Sequence, residues 1–355
     1  MELYIHFGIY KTGSSYLQYL CANSVLQLAK GGYYFPSSPY DKLMQNGIIS
    51  PGNSGNLHDL LKQENIQAVS KLLMHWATAA RQKKCEKVLI SGESLVHNFT
   101  IREGLETLMS ATKEAGFSKV KALGYVRDFV DHAISTYKHR GKSGKIRDFH
   151  HWVANIYETP TVLANFVQLH KEIPVDWTLR KFQKDSTFMA KSFFEDWLEI
   201  LAPQLDFQKR VNESVTVSEI LVINELSKIF PTTVDYFVGA LNKLGRDERA
   251  DDKEVEEYFW KIAKCVLNQK QGVIKLVNKQ LRVDEQLNII LGNKEKSIQS
   301  YPVAKLSEQQ IRILMRELIK MSSFSGQLVL FKRKIALWLP TFLKRGYKRY
   351  KLQNV

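Results

Sequence analysis

Short apolar runs alternate with longer amphipathic segments in the first half of the chain. The runs with the length and composition of buried strands cover residues 3–8, 87–92, 120–127 and 175–182. Helical periodicity precedes or follows them, at residues 15–28, 63–83, 101–115, 128–139 and 193–201. Strands that alternate with helices predict right-handed crossovers and a parallel sheet. We therefore predict an α/β core with helices flanking a central parallel sheet.

The pattern changes after about residue 214. From there the chain is mainly helical, with helical periods at residues 217–230, 252–268 and 308–321. The predicted organisation is an α/β core over residues 1–213, a helical region over residues 214–320 that completes or flanks the core, and a tail over residues 321–355. The length of the chain, 355 residues, is sufficient for one substantial core without disulfides or metal.

The formal net charge is +15, which predicts attraction to anionic ligands or surfaces. The excess is concentrated in the tail, where residues 321–355 contain eight Lys or Arg and no acidic residue. This distribution argues against a nucleic-acid binder, whose charge should cover an exposed face. The basic and aromatic tail suits contact with an anionic membrane surface. The alternative is a terminal helix that docks its apolar side on the body, and Pro340 limits its length.

The remaining composition predicts a reduced, metal-free protein. Cys21, Cys85 and Cys265 are widely spaced, and the chain has no Cys/His spacing typical of zinc sites. The amino terminus lacks the features of a secretory signal, and no apolar run reaches the 18 residues that would span a bilayer. We expect a cytoplasmic protein, with a peripheral position at the inner membrane face if the tail binds lipid.

The strongest motif follows the first predicted strand: Gly8-Ile9-Tyr10-Lys11-Thr12-Gly13-Ser14-Ser15. A glycine-containing turn between a strand and a helix brings backbone N–H groups and the positive helix end to one point, which suits phosphate. The ATP-type loop places its lysine after the second glycine, whereas here Lys11 precedes Gly13. The alternative to an anion site is a tight turn with a solvated lysine.

Residues 5–18 resemble the 5′-phosphosulfate loop of sulfotransferases that use 3′-phosphoadenosine-5′-phosphosulfate (PAPS), most closely the bacterial carbohydrate-type branch. The family's second element is an Arg at the end of a later strand and a Ser eight residues on, and Arg127 and Ser135 match it. The resemblance covers roughly residues 3–220. It implies a P-loop NTPase-like three-layer fold and PAPS as the donor, with 3′-phosphoadenosine-5′-phosphate (PAP) as the product and no metal. It also implies which residues bind the donor: Lys11, Thr12, Gly13, Ser14, Ser15, Arg127 and Ser135.

The position of Arg127 has a physical reason that is independent of the family. It ends a predicted parallel strand, and ligands of such sheets bind at the carboxyl ends of the strands. The planar guanidinium can bind a phosphate through two parallel hydrogen bonds. The alternative is an arginine neutralised by Asp128 or Asp131.

Sulfuryl transfer requires a base for the acceptor hydroxyl and positive charge at the leaving oxygen. Lys11 is the predicted leaving-group stabiliser. Glu93 ends the predicted strand 87–92 and is the predicted base, since a partly desolvated carboxyl has a raised pKa. Its alternative role is a helix cap or a residue that orients Lys11 or Arg127. His97 is the second candidate for the base.

Residues 30–56 are rich in Gly, Pro, Ser and Asn and predict a long functional loop. Tyr34 in this loop and His58 after it are predicted acceptor contacts, and His58 is the third candidate for the base. His6 lies inside a strand and is predicted to be a core histidine. The pair His150 and His151 is predicted to lie on a helix surface.

The sequence therefore predicts a PAPS-dependent sulfotransferase that acts on a hydroxyl acceptor, on a sugar or a glycan precursor. The alternative is a different nucleotide-binding protein, such as a P-loop kinase, or a basic binding protein. A kinase should have its lysine after Gly13 and an aspartate for Mg²⁺ at the end of a later strand. The acceptor itself and the oligomeric state are not predicted.

Overall fold

The computed structural model describes residues 1–144, 146, 148–173, 175–204, 215–229, 234–288 and 304–322. The predicted basic tail, apart from its first two residues, lies outside this range. The chain divides into two compact units. The first comprises residues 1–133, 153–212 and 263–295, and the second comprises residues 134–152, 213–262 and 296–355. Each unit is therefore assembled from separated stretches of sequence.

The first unit contains a five-stranded sheet in which every pairing is parallel. The strands are β1 (Glu2–Phe7), β2 (Tyr33–Tyr34), β3 (Lys87–Gly92), β4 (Lys119–Val126) and β5 (Asp176–Lys181), in the order β2-β3-β1-β4-β5. The predicted α/β class with a central parallel sheet is confirmed. Strand β2 was not predicted, because two residues are too few to show strand periodicity.

The helices connect and follow these strands. They are α1 (Ser14–Asn23), α2 (Val25–Lys30), α3 (Asp41–Gln45), α4 (Leu57–Lys62), α5 (Ile66–Gln82), α6 (Leu95–Phe99), α7 (Arg102–Glu114), α8 (Phe129–Gly141), α9 (Phe149–Asn155), α10 (Thr159–Glu172), α11 (Ser186–Phe194), α12 (Val217–Ile229), α13 (Val234–Leu241), α14 (Lys253–Leu267), α15 (Gln271–Asn278) and α16 (Glu308–Ser322). No helix in the described part of the chain is both long and apolar enough to cross a membrane.

One predicted helix was wrong in position. The expected helix over residues 193–201 is α11, which begins at Ser186 and ends at Phe194. Its start is set by Asp185, whose carboxylate accepts hydrogen bonds from the amides of Thr187 at 2.8 Å and Phe188 at 3.4 Å. Beyond α11 the chain turns, and Glu199 takes a left-handed φ of 57°. The cap and the turn, rather than the apolar periodicity, decide where the helix lies.

Helices cover both faces of the sheet, which gives the first unit its layers. The ring of Tyr4 on β1 lies 5.4 Å from Trp197, which follows α11 on one face. The ring of Phe7 on the same strand lies 5.0 Å from Phe99 of α6 on the other face. Successive side chains of a strand point to opposite faces, so a strand buried on both sides is apolar throughout. Strand β1 is therefore the centre of the core.

The second unit is helical where the structure describes it. The ring of Phe149 on α9 lies 4.5 Å from Phe259 on α14 and 4.8 Å from Tyr137 on α8. Asp252 precedes α14 and accepts a hydrogen bond from the amide of Val217 at 2.5 Å, at the start of α12. The unit thus has its own aromatic core and its own helix caps.

Candidate functional site

Three predicted residues follow the carboxyl ends of three adjacent strands. Phe7 of β1 is paired with Gly92 of β3 on one side and with Gly124 of β4 on the other. The loop with Lys11 follows β1, Glu93 follows β3, and Arg127 follows β4. The chain runs from β1 to β2 and β3 on one side of β1, and then crosses to β4 and β5 on its other side. Open α/β sheets bind ligands at such a switch point. The fold therefore brings Lys11, Glu93 and Arg127 to the edge of the sheet that is formed by the carboxyl ends of its strands.

In the first loop (residues 8–15), backbone carbonyl groups are hydrogen-bonded within the protein, whereas several amides are not. Lys11 and Gly13 have left-handed φ values of 62° and 84°. The hydroxyl of Thr12 donates to the carbonyl oxygen of Ile9, and the carbonyl oxygen of Gly13 accepts from the amide of Tyr16 at 3.0 Å. The amides of Thr12, Gly13, Ser14 and Ser15, by contrast, have no acceptor among the described residues. Free amides at a helix start form an anion site.

Ser14 adds a hydroxyl to this set of donors. Its side chain is only 5% exposed, and its Oγ has no hydrogen-bond partner among the described residues. A buried hydroxyl without a partner costs about 1–3 kcal/mol, so it is rarely left unsatisfied. A Cβ atom at Gly8 would overlap Ser14 Oγ and would lie 3.1 Å from the Cα of Glu93. Gly8 thus permits the close approach of the first loop to the end of β3.

Glu93 is partly buried and interacts with the charge of Lys11. Burial raises the pKa of the Glu93 carboxyl, and the positive charge of Lys11 opposes this rise. No hydrogen bond or ion pair of the Glu93 carboxylate occurs within the described part of the chain. A carboxyl with a raised pKa and unsatisfied oxygens can accept a proton from an approaching group. The geometry thus suits the predicted role of Glu93.

Arg127 is also held partly buried and without a carboxylate partner. Burial lowers its pKa, which the charge of Asp131 opposes. Its guanidinium lies 5.5 Å from the centre of the Phe182 ring, and it forms no ion pair with any described residue. Asp128 instead pairs with Lys181 at 3.1 Å. The alternative was an arginine neutralised by Asp128 or Asp131. Neither forms an ion pair with Arg127 in the described part of the chain, although the charges of both act on it.

Two of the predicted histidines lie beside the first loop. His97 is exposed on α6, and its Nε2 is 2.9 Å from the hydroxyl of Tyr10 in the loop. The His58 ring on α4 is 6.2 Å from the His97 ring. Asn98 donates through Nδ2 to the His58 carbonyl, so its Oδ1 accepts from His58 Nδ1 at 2.6 Å. This arrangement leaves Nε2 of His58 as an acceptor when the ring is neutral.

One predicted contact, Tyr34, is not brought to this edge. Tyr34 is buried on β2 opposite Val88, and its ring lies 5.1 Å from Lys83 Nζ. Val88 is four residues before the carboxyl end of β3, which is about 13 Å along a strand. Ser135 lies in α8 and belongs to the second unit, whereas Arg127 belongs to the first. The binding roles of Tyr34 and Ser135 stay predictions.

Three histidines that were predicted to lie outside the site are found where the sequence placed them. His6 is fully buried on β1, its Nδ1 is 2.8 Å from Ser91 Oγ, and burial lowers its pKa to about 3. It is therefore a neutral core histidine at physiological pH. His150 and His151 are exposed on α9.

The structure adds contributors that the sequence did not reveal. Phe182 follows β5 and faces Arg127, and its ring is the closest group, at 3.1 Å, to a Cβ atom built on Gly13. Asn53 anchors the Gly/Ser-rich loop to β3, because its Oδ1 accepts from the Ser91 amide at 2.6 Å and its Nδ2 donates to the Leu89 carbonyl at 3.1 Å. The composition of residues 30–56 predicted one long loop, whereas the segment also contains β2 and α3, and its attachment to β3 was not predicted.

Within the described residues, no group of three or more His, Cys, Asp or Glu side chains is placed to hold a metal ion. No protein-family model matches the sequence, and no curated protein and no solved structure matches it. The interpretation of the site therefore rests on its geometry and on its sequence motifs.

Proposed function

We propose that this protein is a sulfotransferase with a P-loop NTPase-like core, which moves a sulfuryl group from PAPS to a hydroxyl acceptor. The observation that carries the proposal is the set of unsatisfied donors in the first loop. The Ser14 hydroxyl and the amides of Thr12, Gly13, Ser14 and Ser15 have no acceptor among the described residues, and Lys11 lies beside them. This set suits the 5′-phosphosulfate of the donor.

The order of the strands supports a division of the site into a donor side and an acceptor side. Arg127 stands on the β4 side of the first loop, and its guanidinium, which has no ion pair with any described residue, suits the 3′-phosphate of the donor. Glu93, His97 and His58 stand on the β3 side. An acceptor that enters from the β3 side meets the sulfuryl group opposite the nucleotide. In-line displacement requires this arrangement.

The proposed reaction is a single displacement. The acceptor oxygen forms a bond to sulfur while the bond between sulfur and the bridging phosphate oxygen breaks, and the electron pair of that bond stays on the bridging oxygen of PAP. Glu93 takes the proton of the acceptor hydroxyl. Lys11 stabilises the negative charge that develops on the bridging oxygen. No residue of this scheme has to hold a metal.

The acceptor that we propose is a hydroxyl of a sugar or a glycan precursor, in the cytoplasm or at the inner membrane face. Tyr10, His58 and His97 form a group of neighbouring rings with hydrogen-bonding groups on the β3 side of the first loop. Rings with polar edges are suited to a polyhydroxylated ligand, because one group can pack on C–H surfaces while another bonds a hydroxyl. The identity of the acceptor is tested by offering a panel of candidate acceptors in the transfer assay.

The deciding experiment compares donors and acceptors on the intact chain. PAP should raise the unfolding temperature, since a ligand at 100 times its dissociation constant adds about 2.7 kcal/mol of stability, and ATP with Mg²⁺ should add much less. Radiolabelled PAPS is then offered with glycans, phenols and lipids as acceptors. Stabilisation by ATP that equals or exceeds that by PAP would favour a kinase-like protein and overturn the proposal.

A further inference from the structure

A buried histidine outside the predicted set contacts the first loop. His132 lies in α8 and is 1% exposed. Its Nε2 is 2.6 Å from the carbonyl oxygen of Tyr10, and its Nδ1 is 2.8 Å from the hydroxyl of Tyr157. All three residues belong to the first unit. The histidine therefore joins the first loop to the segment that precedes α10.

These partners determine which nitrogen of His132 carries the proton. A carbonyl oxygen can only accept, so Nε2 carries the hydrogen and donates it to Tyr10. In the neutral ring Nδ1 then accepts, and the Tyr157 hydroxyl donates to it. The same hydroxyl lies 3.3 Å from the carbonyl oxygen of Phe129, so the two acceptors share its single hydrogen and Nδ1 is the closer one. The Tyr10 carbonyl therefore requires the Nε2–H tautomer, and a Tyr157 hydroxyl that donates to Nδ1 favours the same tautomer.

The bond to Tyr10 acts where the loop backbone is most constrained. The Tyr10 carbonyl directly precedes Lys11, whose left-handed φ of 62° is unfavourable for a residue with a side chain. A carbonyl oxygen turned into an anion site would repel the anion. Because His132 engages the Tyr10 carbonyl and Thr12 engages the Ile9 carbonyl, the amides from Thr12 onward are the loop groups that are left to bind it.

We propose that His132 is a positioning residue for the first loop, and that Tyr157 acts through it by favouring the Nε2–H tautomer. The inference rests on the proposed function for the identity of the ligand, which is the 5′-phosphosulfate group. The role of His132 in holding the loop conformation does not depend on the proposed function. The two can therefore be tested separately.

The test uses two substitutions at one position and a matched control. His132→Gln keeps an N–H donor, whereas His132→Met fills similar space and cannot donate. His170→Met is the control, because His170 is also buried and hydrogen-bonded to a backbone carbonyl, that of Phe166 at 2.8 Å. The ligands are PAP and adenosine 3′-phosphate, which lacks the 5′-phosphate that the first loop should bind.

We expect His132→Met to weaken PAP binding about tenfold, the effect of one lost hydrogen bond in a positioned site. Binding of adenosine 3′-phosphate should not change, because that ligand does not use the first loop. His132→Gln should restore PAP affinity to within about threefold of the parent. His170→Met should lower the unfolding temperature and leave PAP affinity unchanged. Equal losses for both ligands, or no loss for either, would overturn the proposal.

A measurement without ligand separates this inference from the proposed function. Ring ¹⁵N shifts of the free protein should show His132 with its hydrogen on Nε2, and amide exchange in the first loop should be faster in His132→Met. If the parent does not bind PAP, the proposed function fails while these two readings still decide the role of His132. A hydrogen on Nδ1, or unchanged exchange, overturns the role. If His132→Met does not fold, the same readings on Tyr157→Phe decide it.

Discussion

Glu93, which follows β3, lies within electrostatic range of Lys11 in the loop that follows β1. Burial raises the pKa of Glu93, and the charge of Lys11 limits that rise. The two groups have opposite tasks in the proposed reaction, since one accepts a proton while the other stabilises negative charge. The charge of Lys11 thus favours the ionised, proton-accepting form of Glu93, while burial favours the neutral form.

Replacing Glu93 with Gln should abolish most of the transfer without weakening donor binding. The amide preserves size and polarity but cannot accept the acceptor proton, so turnover should fall about 10²–10⁴-fold, the usual effect of a general base. Calorimetric PAP affinity should stay within about twofold. The pH profile of the parent should lose activity as pH falls through the raised pKa, and the variant should lack this limb. If Glu93→Gln turns over normally while His97→Ala or His58→Ala is inactive, that histidine is the base.

The same substitution should change stability in a pH-dependent direction. The folded pKa of Glu93 lies above its unfolded value, so the folded protein binds more protons between the two values. The stability contribution of Glu93 therefore falls as pH rises through this window. Relative to the parent, Glu93→Gln should gain stability from acid to neutral pH in denaturant titrations. A gain toward acid pH would contradict the assigned direction.

Lys11→Gly should lower PAP affinity and turnover together. Glycine adopts the left-handed φ of 62° without strain, so the substitution removes the charge and leaves the backbone conformation accessible. Lys84→Gly is the matched control, because Lys84 is an exposed lysine with φ of 57°. Turnover and calorimetric PAP affinity are measured for both variants. Lys84→Gly shows the effect of the backbone change alone, so the additional loss in Lys11→Gly reports the lost charge. Normal turnover in Lys11→Gly would remove Lys11 from the mechanism.

Arg127→Lys should weaken PAP binding but not binding of adenosine 5′-phosphate. Lysine keeps the charge but loses the planar fork and its stacking on Phe182, which contribute about 1.5–3 kcal/mol for a charged hydrogen-bonded pair. The ratio of the two affinities isolates the 3′-phosphate. An equal loss for both nucleotides would assign Arg127 to another part of the ligand.

Gly8→Ala should destabilise the fold and block donor binding. The added methyl group would overlap Ser14 Oγ, and such overpacking costs about 1–3 kcal/mol. Gly239→Ala is the control, since no atom lies within 4 Å of a Cβ built there, and helix interiors favour alanine. The unfolding temperature should fall for Gly8→Ala and not for Gly239→Ala. Combining Gly8→Ala with Ser14→Gly should recover part of the stability.

Removal of residues 321–355 should weaken binding to vesicles that contain anionic lipid and leave PAP affinity unchanged. The segment carries eight basic residues and no acid among its aromatics, and each basic residue near such a surface contributes about 1 kcal/mol. Co-sedimentation at two salt concentrations measures the effect. Unchanged vesicle binding after truncation would favour a tail that docks on the body.

The alternation of apolar runs and helical periods was sufficient to predict the parallel α/β core, because strand and helix periods are local properties of the chain. The position of Lys11 in the first loop and of Glu93 and Arg127 at strand ends followed from the same pattern. Parallel strands end at one edge, so adjacency of these residues could be expected. Strand β2 and the start of α11 could not be predicted, since a two-residue strand has no period and the cap at Asp185 competes with the apolar pattern.

The remaining features depend on contacts between distant parts of the chain. The Ser14 hydroxyl is unsatisfied because the fold buries it beside Gly8 and brings no acceptor to it from the described residues. His132 reaches the Tyr10 carbonyl across 122 positions of sequence. Nothing in its local sequence distinguishes it from any other helical histidine. Burial and hydrogen-bond partners are set by packing, so which donors stay open and which residues hold the loop is a property of the folded chain.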